Sequence, residues 1–231
     1  MGIVRMGIPE DISLFIKDAN KINHFVETGT FNGETTLWAS RHFKEVDTIE
    51  FSEKIYYQTK EKFKAIGNIN FILGDSRKAL REIVSNASES ILFWLDAHWC
   101  SGDSYGEEDQ CPLIDELKII NSSSMDHFIL IDDARLFMAP PPLPNLVKFY
   151  PGITEIIDEL KEQFVMSFED VLFILPQNFK KEFSIFMQNK TTIAWKNYGQ
   201  GLKEKELINN RTRFAKTKAL LNDILAIWNL K

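Results

Sequence analysis

The fold of this chain is decided by one stretch, residues 25–36, which reads FVETGTFNGETT. An apolar run enters it near His24, and a helix-like pattern follows it. Gly29 and Gly33 therefore predict a turn from a strand into a helix, where the backbone can approach a ligand with no Cβ in the way. The helix would direct free N–H groups and its positive dipole end at that ligand, and Glu27 adds a carboxylate for an amine or a hydroxyl. A plain strand-to-helix turn has a similar sequence, so the rest of the chain has to decide.

Strand-like and helix-like segments alternate along the chain, which is typical of a parallel, doubly wound sheet. Strand patterns cover 24–30, 46–51, 69–73, 90–95, 128–131 and 170–175, with weaker ones at 183–187 and 192–195. Helix patterns cover 9–17, 34–43, 53–65, 116–120, 153–164 and 203–230. We expect an α/β fold with a mostly parallel, Rossmann-like sheet of about seven strands and helices on both faces. We treat 1–231 as one domain, made of an N-terminal helix (1–23), a cofactor-binding core (24–176) and a partly helical C-terminal extension (177–231).

An acidic residue ends the second predicted strand. Glu50 follows Gly29 by 21 positions, and an acid about 20 residues beyond such a turn accepts hydrogen bonds from a ribose diol. The spacing of the two glycines, Gly-x-x-x-Gly, differs from the Gly-x-Gly-x-x-Gly of dinucleotide folds. The pattern therefore favours an adenosine-type ligand over a dinucleotide.

Three aspartates are predicted to meet at the carboxyl edge of the sheet. Asp96 ends the fourth predicted strand, and Asp132 and Asp133 end the fifth. Neighbouring strands lie about 5 Å apart, and clustered carboxylates repel one another unless a cation lies among them. Because oxygen ligands suit hard ions, the three aspartates predict a site for Mg²⁺ or a similar divalent cation. The alternative is that the Asp132–Asp133 pair only caps a loop.

The composition is that of an ordinary globular protein, with 44% hydrophobic and 26% charged residues in 231. The net charge of −6 argues against nucleic acid as a partner. We expect no membrane span, because no apolar run approaches the ~20 residues that one requires. Two cysteines, Cys100 and Cys111, favour a reducing compartment, although a single disulfide stays open. We therefore expect a cytoplasmic protein.

Residues 25–137 resemble the class I S-adenosylmethionine-dependent methyltransferases. Glu27, Gly29 and Gly33 are similar to their motif I. The segments LDAHW at 95–99 and IDD at 131–133 resemble the metal-ligand sites of the metal-dependent O-methyltransferases, of the catechol and macrolide-sugar types. The resemblance implies a set of residues that bind S-adenosylmethionine: Glu27, Gly29, Thr30, Gly33, Glu50, Asp75, Ser76 and Asp96. It also implies that Asp96, Asp132 and Asp133 bind Mg²⁺.

The reaction that the resemblance implies is Mg²⁺-assisted transfer of a methyl group to a hydroxyl of a small molecule or sugar. The catechol enzymes keep a lysine just after the first metal aspartate, and this chain has none there. His98 is our candidate base instead, since imidazole titrates near neutral pH. Two other functions stay open: a non-catalytic S-adenosylmethionine-binding or assembly protein, and another Rossmann-type nucleotide-dependent enzyme. A homo-oligomer is possible through the C-terminal helix.

Overall fold

The computed structural model describes residues 6–98, 109–139, 143–160 and 162–228, with the backbone alone at 211, 213, 215 and 219–228. The helices are α1 (Glu10–Asn20), α2 (Glu34–His42), α3 (Glu53–Lys62), α4 (Ser76–Asn86), α5 (Leu113–Asn121), α6 (Arg135–Met138), α7 (Ile153–Asp158) and α8 (Lys180–Trp228). The strands are β1 (His24–Thr28), β2 (Glu45–Glu50), β3 (Ile69–Leu73), β4 (Ile91–Leu95), β5 (Phe128–Ile131), β6 (Phe164–Phe168) and β7 (Val171–Leu175). Residues 99–108, which follow the predicted fourth strand and include Cys100, lie outside the described residues, and so do residues 140–142, part of the sequence PPPLP at 140–144.

The strands form one seven-stranded sheet in the order β3-β2-β1-β4-β5-β7-β6. Strands β1 to β5 pair in parallel, while β7 is antiparallel to both β5 and β6. The order reverses direction at β1 and β4, and in such sheets ligands bind beyond the carboxyl ends of the strands at this reversal. The predicted fold class is therefore confirmed.

The core is built on the alternation of side chains along the strands, because successive residues of a strand face opposite sides of the sheet. Val26 of β1 joins a cluster that includes Leu80 of α4 and Leu117 of α5. Phe25, on the other side, packs its ring against Trp38 and Phe43 at 6.0 and 5.1 Å. Helices therefore cover both faces of the strand that carries the glycine turn.

The predicted helix at 153–164 is wrong in its second half. Helix α7 ends at Asp158, and residues 164–168 form β6, which pairs with β7. The two residues between these strands, Glu169 and Asp170, have φ values of 46° and 69°. Positive φ at both central residues is the geometry of a tight hairpin turn, for which Asn-Gly is the usual sequence signal. An acidic pair gives a weaker signal, so the hairpin was not predicted.

The chain divides into two compact units, Met1–Lys180 and Lys181–Lys231. All seven strands belong to the first unit, and α8 runs through the second. The two weak strand predictions, at 183–187 and 192–195, are wrong because both segments are helical. Phe183 and Met187, four residues apart, are buried, whereas Ile185 between them is 50% exposed. A strand would place all three on one face, and a helix places Ile185 on another.

Candidate active site

The carboxyl ends of β1 to β5 form a continuous edge, because the residues that follow β1, β3, β4 and β5 extend the hydrogen-bond ladder. Gly29 donates to Ile49 at 2.9 Å, and Asp96 donates to Thr28 at 3.0 Å. Asp132 donates to Leu95 of the neighbouring strand at 3.1 Å. The predicted residues that follow β1, β4 and β5 are thereby fixed side by side at one edge of the sheet.

A cavity of about 520 Å³ opens at this edge. Its volume lies within the range of small-molecule and cofactor sites. Most of the predicted site residues line it: Glu27, Gly29, Thr30, Gly33, Glu50, Ser76, Asp96, His98, Asp132 and Asp133. Glu34 and Arg135 also line it, and neither was predicted from the sequence.

Both predicted glycines have positive φ, 88° at Gly29 and 71° at Gly33, which L residues rarely adopt. A Cβ on Gly29 would lie 2.6 Å from the backbone oxygen of Asp96. A Cβ on Gly33 would lie 2.5 Å from the ring of Phe63. Glycine is therefore required here for close packing within the protein, in addition to the predicted approach of a ligand.

Glu27 is buried in the floor of the cavity, with 2% of its surface exposed. Its Oε2 accepts hydrogen bonds from the hydroxyls of Thr36 at 2.5 Å and Thr48 at 2.7 Å. Burial raises the pKa of Glu27 to about 7, the two hydroxyls oppose this, and the charge of Glu50 adds to it. Sequence reasoning missed Thr36 and Thr48, which lie 9 and 21 positions from Glu27 along the chain.

Glu50 is also buried, and both of its oxygens accept backbone N–H groups. Oε2 accepts from Phe31 at 3.0 Å, and Oε1 accepts from Ser52 at 2.9 Å. Thr30, in the same loop as Phe31, shares a hydroxyl hydrogen bond of 2.6 Å with Thr48. The carboxylate of Glu50 thus holds the loop after β1 against the end of β2, and its role toward a ribose stays a prediction.

Asp75 and Ser76 stand at the start of α4. Asp75 is the N-cap, since Oδ1 accepts from the backbone N–H of Arg77 at 2.9 Å. The guanidinium of Arg77 also pairs with Asp75 and with Asp109, at 2.8 and 2.7 Å, and it lowers the pKa of Asp75. Ser76 lines the cavity, whereas Asp75 is not among the described residues that do so.

The ring of His98 lies between two of the predicted metal ligands. Its Nε2 is 2.8 Å from Asp133 Oδ2, and its Nδ1 is 3.4 Å from Asp96 Oδ1. Burial raises the pKa of Asp96 well above its usual range, His98 opposes this, and the charges of Asp132 and Asp133 add to it. Burial and the charge of Asp133 raise the pKa of Asp132 to about 6.

Asp133 differs from Asp96 and Asp132 because its pKa is lowered. Burial alone would raise its pKa, but the hydrogen bond from His98 and the contact with Arg135 prevail and lower it. Arg135 Nη1 lies 2.6 Å from Asp133 Oδ1, and the same guanidinium pairs with Asp170. Asp133 has a φ of 53°, a conformation that aspartate tolerates better than most residues and that is frequent at functional sites.

The three aspartates line one cavity, but their carboxylate oxygens do not all lie within 4.8 Å of one another, as those of a metal site would. We compared all histidine, cysteine, aspartate and glutamate side chains in the described part of the chain. One set of three brings its possible metal-ligand atoms within 4.8 Å of one another: His24, Glu45 and Asp47. His24 Nε2 and Asp47 Oδ2 are 2.7 Å apart. These residues belong to the amino ends of β1 and β2, at the opposite edge of the sheet from the cavity.

A second buried acid, Glu116 of α5, was not singled out from the sequence. It is 1% exposed on a helix face formed otherwise by apolar residues. Burial raises its pKa to about 7, and the nearby hydroxyls of Ser76 and Thr28 oppose this. The signal in the sequence was an acid at the start of the predicted helix at 116–120, among apolar residues.

Solved structures of methyltransferases share this architecture. The O-methyltransferase TomG from Streptomyces achromogenes, solved with S-adenosylmethionine, aligns with a TM-score of 0.52 and 13% identity over 75% of this chain and 82% of its own. The Podospora anserina methyltransferase PaMTH1, solved with S-adenosylhomocysteine, aligns with a TM-score of 0.52 and 20% identity over 74% and 80%. The fold of this chain is a methyltransferase fold.

A third structure with this methyltransferase fold, the Bacillus cereus O-methyltransferase with S-adenosylhomocysteine, has a TM-score of 0.50 and 14% identity over 74% of this chain and 82% of its own. No protein-family model matches the sequence, and no curated protein matches it. Among the described residues, every helix is too short or too polar to cross a membrane.

Proposed function

We propose that this protein transfers a methyl group from S-adenosylmethionine to a hydroxyl of a small molecule or sugar. One observation carries the proposal. A cavity opens at the point where the strand order reverses, and among the described residues the buried carboxylate of Glu27 in its wall accepts hydrogen bonds from the hydroxyls of Thr36 and Thr48. S-adenosylmethionine brings a sulfonium and an ammonium group, so it supplies the positive charge that this environment favours. The structural neighbours solved with S-adenosylmethionine or S-adenosylhomocysteine support the same ligand.

In this proposal, different residues of the glycine turn and of the strand ends bind different parts of the cofactor. Glu27 and Asp96 face the amino-acid part of the cofactor, and the backbone of Gly29, Thr30 and Gly33 lies beside the same part. Glu50 accepts the ribose hydroxyls, and Asp75 and Ser76 lie at the adenine end. The role of Asp75 has the least support among these assignments, because its carboxylate already accepts hydrogen bonds from the guanidinium of Arg77.

The cofactor supplies an electrophilic methyl group, and the protein has to position the acceptor and remove its proton. The acceptor oxygen forms a bond to the methyl carbon as the bond from that carbon to sulfur breaks. We propose that the hydroxyl proton passes to His98. Both ring nitrogens of His98 face carboxylates, so its contact with Asp96 has to open before the ring accepts a proton.

We further propose that Asp96, Asp132 and Asp133 hold Mg²⁺ or a similar divalent ion. Three carboxylates on one cavity wall suit a hard cation, and the raised pKa values of Asp96 and Asp132 would fall next to one. The ion would lower the pKa of the acceptor hydroxyl. Asp96 and Asp133 would first have to separate from His98.

Calorimetric titration with S-adenosylhomocysteine and with NAD, each with and without Mg²⁺, tests the proposal. We expect S-adenosylhomocysteine to bind and NAD not to bind. Tight binding of NAD alone would overturn the function. Transfer is then read as a mass increase on hydroxylated acceptors. Asp132→Ala should abolish transfer and leave S-adenosylhomocysteine binding largely intact, and unchanged turnover would remove the metal role.

A further inference from the structure

The cavity carries a strong excess of acidic groups. Six carboxylates line it: Glu27, Glu34, Glu50, Asp96, Asp132 and Asp133. Among the described lining residues, Arg135 is the one lysine or arginine. Its guanidinium pairs with both Asp133 and Asp170, so its charge is already matched by acidic groups. The described wall of the cavity therefore offers an anion little attraction.

The sequence around the site has the same bias. Residues 82–117 contain nine aspartates and glutamates and no lysine or arginine. This stretch includes β4, Asp96 and His98, and it also covers residues 99–108, which lie outside the described part of the chain. A cleft lined by one sign of charge concentrates ligands of the opposite sign and disfavours those of the same sign.

The cofactor leaves much of this acidity unmatched. Its sulfonium and ammonium groups are offset in part by its own carboxylate, so it adds little net positive charge to a wall with six acids. The proposed Mg²⁺ would offset two of the three charges of Asp96, Asp132 and Asp133, and Glu34 has no assigned role toward the cofactor or the ion in the proposed function. The acidic field therefore acts on the second substrate.

We infer that the acceptor is a hydroxyl compound that carries no phosphate or carboxylate, and that a protonated amine on the acceptor strengthens its binding. This inference rests on the proposed function and names its substrate class. It disfavours acceptors carried on coenzyme A or on a nucleotide, because both are polyanions. It favours neutral sugars and polyols, amino sugars and aromatic amines with free hydroxyls.

Three catechols that share the vicinal diol and differ mainly in charge test the inference. They are dopamine (cationic), 4-methylcatechol (neutral) and 3,4-dihydroxybenzoate (anionic). Their dissociation constants are measured by calorimetry on the wild-type complex with S-adenosylhomocysteine, so that no turnover is required. We expect affinity to fall in that order, by roughly tenfold across the series at low salt. The spread should shrink at about 0.5 M NaCl, where the Debye length is only ~4 Å.

A matched pair of variants localises the effect. Glu34→Gln removes one exposed carboxylate from the cavity wall, and it should reduce the preference for dopamine over 3,4-dihydroxybenzoate by about two- to threefold. Glu82→Gln makes the same change on α4 at an exposed position outside the cavity, and it should leave the preference unchanged.

The possible outcomes are decisive. Equal affinities, a preference for the anion, or no binding by any member of the series overturns the inference. Failure of S-adenosylhomocysteine to bind the wild type is a different result, since it overturns the proposed function before any acceptor is added.

Discussion

At the scale of single residues, Gly29 shows how tightly the strand ends are packed. Its φ of 88° and the 2.6 Å approach of a Cβ to the backbone of Asp96 leave no room for a side chain. We expect Gly29→Ala to destabilise the protein by about 2–4 kcal/mol, the sum of left-handed strain and overpacking, and to abolish S-adenosylhomocysteine binding. Urea unfolding and calorimetry measure the two effects.

The control for Gly29 is Gly67, which has nothing within 4 Å of a Cβ and no positive φ. Gly67→Ala should change the free energy of unfolding by no more than ~0.5 kcal/mol. If the two variants are equally stable, the close approach of β1 to Asp96 is not a requirement of the fold.

Glu116 makes a second prediction, on the pH dependence of stability. Its pKa in the folded protein is about 7, above the ordinary value of 4.5. A raised carboxyl pKa means that the group stabilises the fold below pH 4.5 and that this contribution is lost as the pH rises through 7. Gln cannot ionise, so Glu116→Gln should be more stable than the wild type at pH 8, by about 1–3 kcal/mol, and close to it at pH 5.

Urea unfolding at the two pH values measures this difference. The charged groups around Glu116 are Asp75, which raises its pKa, and Arg77, which lowers it. Neither changes between wild type and variant, so they cancel in the comparison. A destabilised variant at pH 8 would show that Glu116 is ionised and well paired in the folded protein.

The acidic residues of the site could be predicted from the sequence, but the side chains that hydrogen-bond or form ion pairs with them could not. Glu27, Glu50 and the three aspartates were placed at strand ends because each directly follows or ends an apolar run. Thr36, Thr48 and Arg135 were missed, since their contacts depend on how helices and loops return to the sheet edge. That information depends on tertiary packing and not on local pattern.

At the scale of secondary-structure elements, two roles of Asp75 can be tested separately. One is to cap the N-terminus of α4, and the other is to bind the adenine of the cofactor. As N-cap, its side chain accepts a backbone N–H, and asparagine can do the same. Asp75→Asn should therefore keep stability within ~0.5 kcal/mol of the wild type, while Asp75→Ala should lose ~1 kcal/mol. If Asp75 also receives the adenine amino group, both variants should weaken S-adenosylhomocysteine binding.

Ser52→Ala is the control for this pair. Ser52 caps α3 through a hydrogen bond from Ile55 at 3.5 Å, and its hydroxyl has no proposed role toward the cofactor. It should lower stability modestly and leave binding unchanged. Unchanged binding in Asp75→Asn as well would restrict Asp75 to capping α4 and anchoring Arg77.

The elements that the sequence predicted well are those with strong local signals. Strands β1 to β5 are apolar runs between helix patterns, and the structure places them within about two residues of the prediction. The failures, β6 and the start of α8, fall where the signal is ambiguous. Residues 153–168 mix helix-forming and strand-forming residues, and pairing with β7 decides the outcome for β6.

At the scale of the whole molecule, the parallel order β3-β2-β1-β4-β5 follows from the repeated strand–helix pattern, which is why the fold class was predictable. The strand predicted at 170–175 is β7, but its antiparallel pairing and its partner β6 were not predictable, because both depend on the hairpin at 169–170. The division into two units has no composition boundary in the sequence to mark it.

This division makes a prediction about how a ligand stabilises the protein. Every described residue that lines the cavity belongs to Met1–Lys180. A ligand that binds only the folded state stabilises it by about 2.7 kcal/mol at 100 times its dissociation constant. For a chain of this length, 1 kcal/mol corresponds to roughly 2–4 °C in Tm. S-adenosylhomocysteine should therefore raise the unfolding temperature of the sheet-containing unit by about 5–11 °C.

Differential scanning calorimetry with and without S-adenosylhomocysteine measures the shift, with NAD at the same concentration as the control. Any separate transition of the unit Lys181–Lys231 should stay in place, because its described residues contribute nothing to the cavity. Glu27→Gln should reduce the shift at pH 8, where the wild-type carboxylate is ionised and attracts the cationic ligand. At pH 6 the two proteins should differ less, since the pKa of Glu27 is about 7. An equal shift with NAD, or a shift in the α8 transition alone, would place the ligand elsewhere than the carboxyl edge of the sheet.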